Sequence, residues 1–209
     1  MKKRILALLL TVMMATALAA CSGEENRTSD EVENTTDAPT DENAGAETDL
    51  SGVDSVSILN DVWATYGEND KFYAMGGDMN NMVENAPGLY SLEDKEALAA
   101  TLLVKDDAAG MIDEAASLIH GMNTNIFTGA SFHLTDAENA QAFADSMKNS
   151  ILSNQWMCGS PDRYVIYSVH DEYVVVAFGA MDVMKVFKDN FTAVHGDAVK
   201  VLYDENVAQ

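Results

Sequence analysis

The chain has 209 residues, of which 47% are hydrophobic, and it carries 34 acidic side chains against 12 basic ones, for a formal net charge of −22. Nucleic-acid phosphates are bound mainly through Lys and Arg, so this charge balance excludes a nucleic-acid-binding role. It also argues against direct binding of the folded part to acidic lipid.

The first 20 residues have the layout of an export signal. Basic residues at 2–4 precede an apolar run over 5–14 and small residues over 15–20, an order typical of secretory signal peptides. The apolar stretch is shorter than the roughly 20 residues that a membrane-spanning helix needs. We therefore predict that residues 1–20 are removed.

Four residues at the end of this leader resemble a bacterial lipobox: Leu18, Ala19, Ala20 and Cys21. The resemblance implies cleavage before Cys21 and a diacylglyceryl group on its sulfur. Two acyl chains hold a protein to a bilayer stably, whereas one does so only marginally. We expect a lipoprotein at the extracytoplasmic face of the cell membrane. An ordinary cleaved signal and an uncleaved anchor are the alternatives.

Residues 21–54 are predicted to form a disordered acidic tether. Residues 22–54 contain eleven acids and a single base, Arg27, and no aromatic residue. Such a segment buries too little apolar surface to offset the entropy of ordering it.

Residues 55–209 are predicted to form one α+β domain, whose first part, 55–122, is helical. Apolar residues at helical spacing predict helices over 55–66, 91–103 and 111–120. The intervening segment 67–90 lacks periodicity, and a loop of that length is often functional or disordered.

The second part, 123–204, is predicted to be a ferredoxin-like β-α-β-β-α-β unit. Strands are expected over 126–134, 163–169, 173–178 and 198–203, and helices over 138–151 and 181–194. Both helices would cover one face of the sheet. Because the two middle strands are apolar on both faces, the other face also needs a cover. We expect the three N-terminal helices there, with a second copy or a partner protein as the alternative.

The sequence offers little evidence of catalysis. Cys21 and Cys158 are the only cysteines, and since lipid is expected on Cys21, neither an internal disulfide nor paired-thiol chemistry is expected. The four histidines show no metal-ligand spacing, and we predict neither a metal site nor a cofactor. Residues 129–133 approach a nucleophile elbow around Ser131, but the final glycine is missing and the segment is predicted to be a strand. No catalytic residue is therefore predicted.

Two segments are candidates for a binding surface. Segment 67–90 contains Met75, Met79 and Met82, and methionine-rich surfaces suit adaptable binding. Segment 154–162 contains Trp156, Cys158 and Asp162. These six residues are the predicted binding surface. The alternative is structural: the methionines cap the core under a loop, Trp156 plugs the end of the core, and Cys158 is a buried small hydrophobe.

Three segments, 123–130, 155–162 and 177–179, resemble small lipoproteins of Gram-positive anaerobes, some of which are labelled bacteriocin transport accessory proteins. The resemblance implies an exported lipoprotein. We expect a non-catalytic accessory or binding module that contacts the membrane through Cys21 and a membrane or secretion protein through its domain. The alternatives are a small extracytoplasmic enzyme, with a site between 67–90 and 154–162, and a self-associating structural lipoprotein.

Overall fold

The computed structural model describes residues 52–122, 126–157 and 159–207. The predicted leader, the lipobox with Cys21 and nearly all of the tether lie outside the described residues, as does Cys158.

One antiparallel sheet runs through the described residues. The strands are β1 (Ala74–Gly76), β2 (Val83–Glu84), β3 (Gly88–Leu89), β4 (Ile112–His120), β5 (Phe127–Leu134), β6 (Arg163–Val169), β7 (Tyr173–Gly179) and β8 (Val199–Asn206). Neighbouring strands follow the order β2-β1-β4-β5-β7-β6-β8, and β1 and β3 pair with successive parts of the same edge of β4. The helices are α1 (Ser55–Ala64), α2 (Lys95–Thr101), α3 (Asp106–Ala109), α4 (Ala140–Ser153) and α5 (Met181–His195).

Carboxylates mark the beginnings of three helices. Asp54 accepts the backbone N–H of Ser57 at 2.6 Å and completes a capping box for α1. Asp94 accepts the N–H of Ala97 at 2.9 Å at the start of α2. Asp162 accepts the N–H of Met181 at 2.9 Å at the start of α5. Each bond satisfies a donor that the first helical turn leaves free, and negative charge there suits the helix dipole.

Helices cover both faces of the sheet, so the fold has three layers. The first core cluster joins α2, α3 and α4 to one face, and its largest side chains include Leu98, Phe132, Phe143, Met147 and Tyr164. The second cluster joins α1 and α5 to the opposite face, with Leu59, Phe127, Tyr167, Phe187 and Phe191. The central strands β6 and β7 are buried almost throughout, as expected for strands covered on both sides.

The predicted ferredoxin-like topology is wrong. β5 and β6 are parallel with β7 between them, and β7 and β8 are parallel with β6 between them. The β5–α4–β6 connection and the β7–α5–β8 connection move in the same direction across the sheet, but β5 and β7 run in opposite directions. Because such connections are right-handed, α4 and α5 lie on opposite faces of the sheet. A ferredoxin-like unit would return its last strand to β5, where β4 lies instead.

The predicted third helix, 111–120, is also wrong, because these residues form β4. Ala115, Ala116, Ser117 and Leu118 are all fully buried, since β4 pairs with β5 on one side and with β1 and β3 on the other. The expected cover of the second face changes accordingly: α1 is there, but its companion is α5, whereas α2 lies on the first face.

Candidate functional site

Several exposed apolar side chains lie in residues 77–90, here called the methionine loop. Met79 is 90% exposed and Met82 54% exposed. Val83 and Leu89 are exposed beside them, so this loop holds four of the ten large hydrophobic side chains that are exposed in the described part of the chain. Contiguous exposed apolar surface is a mark of interaction sites.

The carboxylate of Asp78 holds the loop in shape. It accepts the backbone N–H groups of Asn80 at 2.7 Å, Asn81 at 3.0 Å and Ser91 at 2.9 Å. The bond from Ser91 N–H and the bonds from Asn80 and Asn81 outweigh desolvation and lower the pKa of Asp78 from its ordinary value. Asp78 thereby joins the start of the loop to the residue that follows it.

Two glycines allow the loop to fold back against β1. A Cβ on Gly76 would stand 2.2 Å from the backbone nitrogen of Gly88, and one on Gly77 would stand 2.2 Å from the carbonyl oxygen of Asn81. Gly77 also has a φ of 76°, which favours glycine. The Gly76-Gly77 pair therefore permits a backbone packing that side chains would prevent.

The core contributes further anchors. The indole Nε1–H of Trp63 on α1 donates to the carbonyl of Asn85 at 2.8 Å. The hydroxyl of Ser117 on β4 donates to the carbonyl of Gly77 at 3.1 Å. The N–H of Asn85 donates to the carbonyl of Ala74 at 2.7 Å. The exposed methionines are thus carried by a backbone that is bonded to α1, β1 and β4.

The methionine loop lies in an acidic stretch of the chain. Residues 72–94 contain four acids and no base, and Glu84, Glu93 and Asp94 are exposed. Lys71, the nearest base before this stretch, pairs with Glu68 at 3.1 Å. The stretch of chain between Lys71 and Lys95 that carries the methionine loop is therefore negatively charged.

The six residues of the predicted binding surface are not gathered in one place. Met79 and Met82 lie on the methionine loop, and Met75 is half-buried in β1 opposite Ile119. Trp156 packs on Phe178 of β7 with ring centroids 5.5 Å apart. Three inter-strand steps separate β1 from β7, or about 14 Å. Asp162 caps α5 as described above, and Cys158 lies outside the described residues.

A depression of about 360 Å³ between residues 69–72 and the start of α5 was missed by the sequence reasoning. The ring of His120 stacks on Phe72 with centroids 4.6 Å apart, and its Nδ1 accepts the N–H of Met122 at 3.1 Å. Burial lowers the pKa of His120, so the neutral form is favoured, with the proton on Nε2. Asp182 borders the same depression. None of the side chains lining it is a Ser, Thr or Cys nucleophile.

A second depression, lined by Arg163, Lys185 and Lys188 beside Met181, brings together three of the few bases. Asp204 pairs with Arg163 at 2.7 Å and also with Lys188, and Asp189 pairs with Lys185 at 2.6 Å. The basic groups are therefore engaged by the protein's own carboxylates.

Ser131, the centre of the predicted elbow-like segment, lies within β5 and is fully buried. Its hydroxyl has no hydrogen-bond partner among the described residues. His133, two residues further along β5, has its Nδ1 2.5 Å from a carboxylate oxygen of Asp113 on β4. A buried serine within a strand cannot present its oxygen to a substrate as an elbow does.

No protein-family model, curated protein or solved structure matches the chain. Within residues 52–122, 126–157 and 159–207, no cluster of three or more His, Cys, Asp or Glu side chains has a geometry that could hold a metal ion. A search of those same residues finds no helix whose length and apolar character would let it span a bilayer.

Proposed function

We propose that the protein is a lipid-anchored, extracytoplasmic binding module without catalytic activity, and that it contacts a membrane or secretion protein through the methionine loop. The observation that carries this proposal is the exposure of Met79 and Met82 on a backbone fixed by Asp78. An apolar surface that is already ordered loses little conformational entropy when it binds. The lipobox-like sequence before Cys21 and the resemblance to accessory lipoproteins support the location and the role.

The arrangement of the predicted site supports a binding role over an enzymatic one. An enzyme was expected to place a cleft between segments 67–90 and 154–162. Neither of the two depressions described above is lined by both segments, and the one at His120 includes only residues 69–72 of the first segment.

Site-specific photo-crosslinking in membranes tests the contact. The crosslinker p-benzoylphenylalanine is introduced at Met82, and, as a matched control, at Met157, which is 94% exposed but lies in segment 154–162. We expect a defined protein adduct from position 82 that is absent from position 157. The same adducts from both positions, or none from position 82, would contradict the proposal.

Membrane attachment has its own test, because it depends on a different residue. Cys21→Ala should leave the precursor uncut or release the protein from the membrane fraction. A variant that is still cut and still attached to the membrane would refute lipidation at Cys21 without bearing on the methionine loop.

Self-association is a second candidate, and β8 is the observation that favours it. This strand has eight residues and pairs only with β6 among the described strands. Val201 on it is 58% exposed, and open edges of this kind template pairing with another chain. Sedimentation velocity should then show a dimer that Val201→Lys dissociates. A monomer at all concentrations would remove this candidate.

A further inference from the structure

The strand edge at the methionine loop is too short to template another strand. β2, which borders this side of the sheet, has two residues, and β3 has two. Strand addition depends on a row of unpaired backbone groups along an edge. A partner that binds here must therefore arrive with its own backbone hydrogen bonds already satisfied, as a helix does.

Two long apolar side chains of the loop, those of Met79 and Met82, are exposed. Their unbranched thioether side chains adapt to the shape of a partner. A helix with an apolar stripe fits such a surface.

Charge selects among such helices. The carboxylates of Glu84, Glu93 and Asp94 are exposed in the same stretch of chain as Met79 and Met82, and residues 72–94 contain no base. They would repel an acidic helix or an anionic lipid surface and attract a helix with Lys and Arg on its polar face.

We infer that the partner segment is a cationic amphipathic helix, which lays its apolar stripe on Met79 and Met82 and its basic side chains against the exposed carboxylates of the same stretch of chain. This inference rests on the proposed binding function of the methionine loop. It adds the chemical class of the partner.

The probe is a synthetic 14-residue peptide of Leu and Lys arranged with one apolar helical face. Two control peptides accompany it: a scrambled sequence of the same composition without an apolar face, and an amphipathic peptide with Glu in place of Lys. Binding is measured by fluorescence anisotropy to the full chain in phosphatidylcholine nanodiscs, with empty nanodiscs as the blank.

The Leu/Lys peptide should bind, and both control peptides should bind at least about tenfold more weakly. Met79→Gln combined with Met82→Gln should weaken binding about tenfold, because most of the apolar contact is lost. Met157→Gln, the matched control, should change binding by less than about twofold. All three substituted methionines are exposed, so the fold should be retained, and the thermal midpoint verifies this.

Glu84→Gln combined with Glu93→Gln should weaken binding about threefold at low salt and make it less sensitive to added salt. Equal binding of the scrambled peptide, or unchanged binding by the double methionine variant, would overturn the inference. If photo-crosslinks from position 82 persist while the Leu/Lys peptide does not bind, the class of partner is wrong and the binding function stands. If position 82 gives no crosslink and the Leu/Lys peptide does not bind, both the binding function and the inferred class of partner are wrong.

Discussion

Asp78 provides the sharpest test of the idea that the methionine loop is held in a fixed shape. Asp78→Ala removes the acceptor for three backbone N–H groups, at 2.7, 3.0 and 2.9 Å. A hydrogen bond to a charged acceptor contributes about 1.5–3 kcal/mol when shielded from water, but Asp78 is only half-buried and water can replace it. We therefore expect a loss of about 2 kcal/mol, or about 5 °C in the thermal midpoint for a domain of this size.

Asp78→Asn should cost about half as much. One side-chain oxygen can still accept from Asn80 and Asn81, whereas the new amide group would meet the N–H of Ser91 instead of accepting from it. Urea denaturation of the full chain measures both variants. Asp61→Asn is the control, since Asp61 is exposed on α1 and accepts no side-chain hydrogen bond from the described residues; it should stay within about 0.5 kcal/mol of wild type.

The pH dependence of the free energy of unfolding distinguishes the effect of the Asp78 charge from the effect of its side-chain size. The pKa of Asp78 is lowered in the folded protein, so its contribution is present above the unfolded aspartate pKa of about 4 and is lost as the pH falls through the folded value. The difference between wild type and Asp78→Asn should be constant from about pH 5 to 8 and shrink below about pH 4. A difference that does not change with pH, or an Asp78→Ala variant as stable as wild type, would refute the reasoning.

Three further predictions concern β1, the two core clusters and β8. Gly76→Ala should cost about 1–3 kcal/mol in urea denaturation, because its Cβ would meet the backbone of Gly88 at 2.2 Å. Phe143→Leu and Phe187→Leu should each cost about 1–2 kcal/mol, and their effects should add within about 0.5 kcal/mol, because the two rings lie on opposite faces of the sheet. Glu205→Gln should lower the thermal midpoint at pH 7 and lower it progressively less as the pH falls below about 4, since the bond from Tyr164 at 2.5 Å and that from Lys148 lower the pKa of Glu205.

Each of these predictions has a matched comparison. Gly110→Ala should be neutral or slightly stabilising, because a Cβ at Gly110 would meet nothing within 4 Å. A strong non-additivity between the two phenylalanine variants would contradict the three-layer arrangement. Glu138→Gln, at an exposed glutamate, should not show the loss at pH 7, and a Glu205→Gln effect that persists in acid would have to come from a cause other than its charge.

Local patterns in the sequence predicted the long elements on both sides of β4. The apolar periodicity of 55–66 and 181–194 coincides closely with α1 and α5, and the alternating residues of 126–134 with β5. These elements each bury a face whose period is visible in the chain itself. The way these elements assemble was harder to predict from the sequence, because the face of the sheet on which a helix packs depends on the order in which the strands pair.

Strand β4, which the sequence predicted as a helix, shows why long-range pairing limits such predictions. Ala115 and Ala116 favour a helix by intrinsic propensity, and the spacing of Ile112, Ala115 and Ile119 fits a helical face. A strand covered on both faces does not alternate, so burial removes the signal that would have distinguished it. Tertiary pairing with β5 overrode the local preference.

The candidate site was predictable only in part. Met79 and Met82 drew attention as part of a methionine-containing segment without periodicity, but nothing in their spacing indicates that they are exposed while Met75 is half-buried. This difference in exposure arises because Met75 lies in β1, where it is paired opposite Ile119. Trp156 and Asp162 belong to another part of the sheet because β4 and β5 intervene, and that order follows from long-range pairing.

The start of the folded part has a mechanical consequence. The carbonyl of Val53 accepts from the hydroxyl of Tyr173 at 3.0 Å, and the N–H of Ser55 donates to Glu114 at 2.7 Å. A pull on the chain before Val53 would load these two bonds, one to β7 and one to β4, and then α1. Because Trp63 on α1 donates to Asn85, tension that dislodges α1 would also remove one of the anchors of the methionine loop.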